Sequence, residues 1–91
     1  MNAATEKEFE RVLKALANKR RLAIMRLLKK RKELPVGDIA SAIKLSFKAT
    51  SRHLAVLFAA DIVEREQRSV QMFYRIASPL PEPAGKIISS I

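Results

Sequence analysis

Lys48, Ser51 and Arg52 are the residues of this 91-residue chain whose types and spacing suit a chemistry of recognition. Positions 48 and 52 lie one helical turn apart, so in a helix both cations project from one face with the Ser51 hydroxyl beside them. An arginine fork can hold O6 and N7 of a guanine together, and a lysine ammonium reaches a phosphate or a guanine edge. Phe47 precedes them on the first turn, where it either touches a thymine methyl or packs on the preceding turn as a staple, with packing favoured. His53, the single histidine, suits a buried-edge hydrogen bond and a phosphate contact equally well. Reaction chemistry has no comparable constellation. Cysteine is absent and the carboxylates are scattered over separate segments, so no nucleophile–base pair or carboxylate dyad forms, and an enzyme is not expected. One histidine alone cannot assemble a transition-metal site, and no metal or cofactor is expected.

These side chains need a helix to present them. Ser46 is a good N-cap for a helix over 46–60, with Thr50, Leu54, Leu57 and Phe58 inward and Phe47, Lys48, Ser51, Arg52 and Ala55 on or near the opposite side. Just upstream, Val36, Ile39, Ala40 and Ile43 recur at i, i+3, i+4 and i+7, a short helix over 36–43. Two short helices joined across Lys44–Leu45–Ser46 describe a DNA-reading helix-turn-helix. Downstream, Val70, Met72, Tyr74 and Ile76 alternate with Gln71, Phe73 and Arg75, a half-buried strand whose partner is Ile62–Glu66. This hairpin over 62–76 is a wing beside the second helix, with Phe73 and Tyr74 as hairpin-face and core residues. Without Asn-Gly or Asp-Gly, a long, loose loop is expected at Gln67–Ser69. Arg65 and Arg68 are candidate phosphate contacts, since half or more of protein–DNA hydrogen bonds go to the backbone.

Before the helix-turn-helix, Thr5–Glu8 fits a capping box opening a helix over 5–17, with Phe9, Val12, Leu13, Leu16 and Ala17 as its apolar stripe. Part of that stripe must be core, and the rest is a candidate dimer surface. Asn18 then caps a helix over 19–31 that is apolar most of the way round and therefore central. Ten Lys/Arg and no acid lie between Arg11 and Lys32. Lys29–Lys32 complement the helix dipole, whereas Lys19, Arg20 and Arg21 oppose it and are better read as phosphate contacts. Pro35 restricts Glu33–Pro35 to an edge strand or a single bridge. Pro79, Pro81 and Pro83 set a linker, after which Ala84–Ile91 has two helical turns' worth of residues with Ile87, Ile88 and Ile91 on one side. Alone it is too short to be stable, so it docks on the body or a partner chain, or frays.

The expected fold is mainly α with a small β-hairpin (α+β), a winged helix-turn-helix of order α-α-α-α-β-β with a short C-terminal segment. Residues 1–78 form the DNA-binding domain and 79–91 a proline-rich linker with a short, dimerising segment. Eighteen Lys+Arg against nine Asp+Glu leave a net charge of +9, which points to nucleic acid first and an anionic membrane surface second. A chain this size buries only about 60–65% of its unfolded surface, so a second copy would add useful burial. No apolar signal region or membrane span is present, and a cytoplasmic protein is expected.

From about Leu16 to Ile76 the chain resembles the ArsR/SmtB type of winged-helix bacterial repressor. Ala15-Leu16-Ala17-Asn18, Arg21-Leu22 and Ile24-Met25-Arg26-Leu27-Leu28 resemble the family's ALA-x-x-x-RL-x-IL-x-LL. The likeness continues through Leu34–Ala40, Leu45-Ser46, Ser51–Leu57, Ala60–Val63 and Phe73–Ile76. It implies a homodimer built from the first and last helices, here Phe9, Leu13, Leu16, Ile87, Ile88 and Ile91, that represses a promoter and releases it when an effector binds. Metal-sensing members carry a pattern like ELCVCDLA; this chain has Pro35 and Gly37 where those thiols would be, and a short tail without histidine. Asp61 stands where the family often has glycine, and must take a left-handed cap conformation or end the helix differently. The reading is a sequence-specific, double-stranded DNA-binding repressor on a pseudo-palindromic operator, with no effector named by the sequence. Its rivals are an RNA- or ribosome-associated winged helix and a basic protein-interaction module.

Overall fold

The computed structural model describes all 91 residues. The first helix, α1, is Ala3–Leu16, and Asn2 rather than Thr5 caps it. The Asn2 carboxamide oxygen accepts both the amide and the hydroxyl of Thr5 at 2.9 Å. The capping box expected at Thr5 does not form, because Asn2 satisfies the orphan amide three residues on and starts the helix earlier. Asn18 behaves as expected: its oxygen accepts from the Arg20 and Arg21 amides at 2.9 and 3.1 Å, opening α2 at Lys19–Arg31.

Helix α2 is central. Ile24, Met25 and Leu28 are buried among Val12 and Leu16 of α1, Ile39 of α3 (Val36–Ile43), Leu54 and Leu57 of α4 (Phe47–Ala59), and Leu34, Ile62 and Tyr74 around the sheet. The sheet has three strands in the order β1-β3-β2: Glu33–Pro35, then Gln71–Ile76 in the middle, then Val63–Arg68. Pro35 lies on an edge strand, paired with Phe73, where its missing N–H leaves no central ladder broken. Arg68 faces Gln71 in the register, so the hairpin closes through Ser69 and Val70 alone. The loose loop expected there is replaced by a two-residue turn with Ser69 at φ 56° and no positive φ at Val70, the pattern of a II′ rather than a I′ turn. Turn chemistry other than Asn-Gly hid it.

Both breaks flanking α4 use a left-handed residue. Lys44 has φ 57°, and the Leu45 amide reaches back to the Ala40 carbonyl at 3.0 Å. Asp61 has φ 61°, and the Asp61 and Ile62 amides bond to the Phe58 and Leu57 carbonyls, each at 3.0 Å. That is a Schellman ending made without glycine, and it turns Ile62 straight into the core. Ser46 caps α4 by accepting the Ala49 amide at 3.1 Å. Phe58, expected inward, is instead at the rim with the Arg65 guanidinium 3.8 Å from its ring centre. Thr50, Leu54 and Leu57 already fill the inward arc.

The tail docks on the body. Helix α5, Ala84–Ser89, buries Ala84 and Ile88 in the same core, and Lys29 Nζ donates to the Ile88 and Ser89 carbonyls at 3.0 and 3.3 Å. One polar atom in the core is unmatched: the Thr50 hydroxyl oxygen, on a fully buried residue, has no hydrogen-bond partner. Replacing Thr50 by Val keeps the shape and removes a desolvated group, so Thr50→Val should stabilise the fold by about 1–3 kcal/mol. A urea midpoint that rises with unchanged slope is the expected observation; a lower midpoint would mean that the hydroxyl is bonded.

Candidate nucleic-acid interface

Helix α4 has no acidic residue, and its outer side carries the side chains singled out for DNA. Lys48, Arg52 and Ala55 are exposed, Ser51 is half-buried, and Phe47 on the first turn is 62% exposed. Neither Lys48 nor Arg52 is held by an ion pair, so both can meet a ligand without giving up a protein partner. The helix that presents them is fixed from behind by Leu54 and Leu57 and at both ends by the caps.

On the other flank of α4, His53 is half-buried against α2. Arg21 Nη1 lies 3.1 Å from His53 Nδ1. A guanidinium can only donate, so Nδ1 accepts and the ring proton is on Nε2. Arg21 also donates to the Ala15 carbonyl through Nε and to the Lys14 carbonyl through Nη2. It thus ties the end of α1, the start of α2 and the middle of α4 together. Expected as a phosphate contact, Arg21 is instead a brace, because those carbonyls at the end of α1 need a donor. Lys19 remains exposed and Arg20 half-buried beside it.

Burial, then the positive charges of Arg21 and Arg20, push the His53 pKa below its ordinary value of 6.5. The unfolded chain therefore takes up a proton on His53 before the folded one does. The contribution of this site is complete above the ordinary histidine range and declines as pH falls below it toward the lowered folded value. Unfolding midpoints measured from about pH 7 to about pH 5 should fall more steeply for the native protein than for His53→Gln, which keeps an acceptor but cannot titrate. Parallel curves would remove His53 from the account.

The wing is not the free basic tip expected. Arg68 holds Glu33 through two bonds of 2.8 and 3.0 Å, touches Glu66 at 3.0 Å and stacks over Phe73. Arg75, in the middle strand, bridges Glu33 and Glu64, each at 3.1 Å. The arginines hold the Glu33 and Glu66 carboxyls below the usual carboxylate range, Arg68 being the main cause in both cases. Arg65 is engaged by Phe58. The exposed tip is Val70, 92% accessible. Glu33, Glu64 and Arg75 become one ladder only in the observed register, which sequence pattern does not supply.

Of the residues expected at a dimer surface, Leu16 and Ile88 are buried in the chain's own core. Their sites are filled by α2 and α5 packing, so neither is free for a partner. Leu13 is 45% exposed, and Phe9, Ile87 and Ile91 are half-buried.

Residues 18–65, which include α2, the helix-turn-helix and the first half of β2, match the family model for bacterial regulatory proteins of the arsR family. The chain belongs to the ArsR family. It is 40% identical over 67 residues to the transcriptional activator HlyU of Vibrio cholerae serotype O1, covering 74% of this chain and 61% of that protein. It is 35% identical over 77 residues to the arsenical resistance operon repressor of Escherichia coli, covering 85% and 66%. The chain thus spans less than two thirds of either relative. Among solved structures it is similar to the homodimeric winged helix-turn-helix DNA-binding domain Mb0332 of Mycobacterium bovis, with a TM-score of 0.83 and 34% identity over 97% of this chain and 78% of that one. ArsR-family membership agrees with the observed order of helices, helix-turn-helix and wing.

Proposed function

We propose that this ArsR-family chain is a homodimeric, sequence-specific DNA-binding regulator that represses by occupying a pseudo-palindromic operator in the cytoplasm. The observation that carries this reading is the outer side of α4: Lys48 and Arg52 exposed, unpaired and one turn apart on a helix without an acid. Helix α4 enters the major groove, with Arg52 reading a base, Lys48 at a phosphate or guanine, and Ser51 beside them. Lys19 and Arg20 add backbone contacts, His53 offers its Nε2–H to a phosphate, and the wing lies along the neighbouring groove. Two copies place two such helices about one helical turn apart.

We do not extend to this chain the metal sensing that the family resemblance implies for some members. The chain has no cysteine, and Pro35 and Gly37 occupy the positions of the family's paired thiols. The named relatives include both an activator and a repressor of transcription, and a reporter fused downstream of the operator reads the sign directly.

In-vitro selection from random duplex DNA should enrich a two-fold motif. Arg52→Ala should then weaken binding to that motif by about 1–3 kcal/mol and relax one position of it. Equal losses on selected and random duplex would make Arg52 a phosphate contact. Enrichment of structured RNA in place of duplex DNA would overturn the proposal.

A further inference from the structure

Phe47 is an anomaly in this surface. Ser46 is the N-cap, so Phe47 is the first helical residue and the position before the cap belongs to Leu45. A hydrophobic staple joins the residue before the cap to the fourth helical residue, here Leu45 to Thr50. Phe47 is therefore in the wrong register to be a staple. Its 62% exposure agrees, and the packed arrangement expected from the sequence is not found. The ring lines a cleft of about 210 Å³ together with Pro35, Val36, Met72 and the exposed Val70 of the wing tip.

What covers Phe47 must also accept its neighbours. Lys48 follows it directly, Ser51 lies one turn on along the same line of the helix, and Arg52 flanks Ser51. An apolar protein pocket closing over the ring would bury two unpaired cations, which is costly. A major groove takes both at once: phosphates and guanine edges for the cations, and for the ring the one apolar group that base pairs display there, the 5-methyl of thymine. Accordingly, we propose that Phe47 is a specificity-determining residue that reads a thymine methyl in each half-site, with no hydrogen bond involved. This rests on the duplex-binding reading above and adds the identity of one base.

The test replaces thymine by deoxyuridine, which deletes only the methyl group, at each thymine of a selected duplex. One position per half-site should weaken the native protein by about fourfold, the value of a buried methylene-sized group. Phe47→Ala should bind the thymine and deoxyuridine duplexes alike, and Phe47→Leu should keep part of the discrimination. Because Phe47 lies outside the core, both variants should retain the native urea midpoint. Full thymine discrimination in Phe47→Ala, or none in the native protein, overturns the proposal while leaving duplex binding intact. Failure to enrich any duplex overturns both.

Discussion

Affinity for duplex DNA should fall by about 10³- to 10⁵-fold between roughly 50 and 200 mM salt, as expected for a dimer neutralising about 6–10 phosphates. The structure shows which cations are left free to produce that slope. Of the ten Lys/Arg between Arg11 and Lys32, four are engaged within the fold, Lys14 among them through Glu10 at 3.8 Å. Arg11 donates to the Ala59 carbonyl at 2.7 Å and pairs with Glu8 and Asp61, closing the end of α4. Arg21 braces α1, α2 and His53, and Lys29 holds the end of α5. Apart from Arg26 near the middle, the rest stand at the two ends of α2, about 20 Å apart at 1.5 Å per residue. The Arg20–Arg21 end lies beside α4, where Arg21 reaches His53 at 3.1 Å. The Lys29 end lies against α5. Lys19→Ala and Arg20→Ala should each lower the slope of log affinity against log salt by about two, one neutralised phosphate per protomer, while Arg31→Ala and Lys32→Ala should lower it less. An isotherm indifferent to salt, or equal effects at the two ends, would sink this division.

The two basic ends of α2 were legible in sequence, but which of their cations the fold engages, and that the Lys19–Arg21 end lies beside α4, were not. The helix itself was legible, because Asn18 is a strong cap and its residues are apolar most of the way round. The helix-turn-helix was legible for a related reason: the spacing of Val36, Ile39, Ala40 and Ile43 and the capping chemistry of Ser46 are local. For Asp61, standing where the family often has glycine, a left-handed cap and a different helix ending were both open, and the structure takes the first. Properties that depend on register or on competition were not legible. The Ser69–Val70 turn needed the pairing of Arg68 with Gln71, and the Glu33–Arg75–Glu64 ladder needed all three strands aligned. Arg21 and Arg68 show the limit most clearly, since a sequence marks a cation but not whether carbonyls or carboxylates of the same chain reach it first.

Leu13→Glu should convert a dimer to monomers and lower operator affinity by about 10²–10⁴-fold, the effective-concentration gain that a second linked site provides. Helix α1 is apolar on two sides. Val12, Ala15 and Leu16 face the core, whereas Leu13 is 45% exposed with the half-buried Phe9 one turn before it on the same line. The two sides predict different failures. Leu16→Glu puts a carboxylate into the chain's own core and should unfold the monomer. Leu13→Glu should leave the urea slope and helical content of the monomer intact while placing a charge where an isologous interface would bring the same residue of each copy close to the two-fold axis or to its reciprocal partner. Sedimentation at micromolar concentration reads the assembly, and titration of full operator against a single half-site reads its consequence. Half-site affinity should be nearly unchanged, since Leu13 is remote in sequence from α4 and does not belong to its recognition side. A Leu13→Glu protein that remains dimeric with full operator affinity would remove this side of α1 from the interface and leave Ile87 and Ile91 of the tail as the remaining apolar candidates.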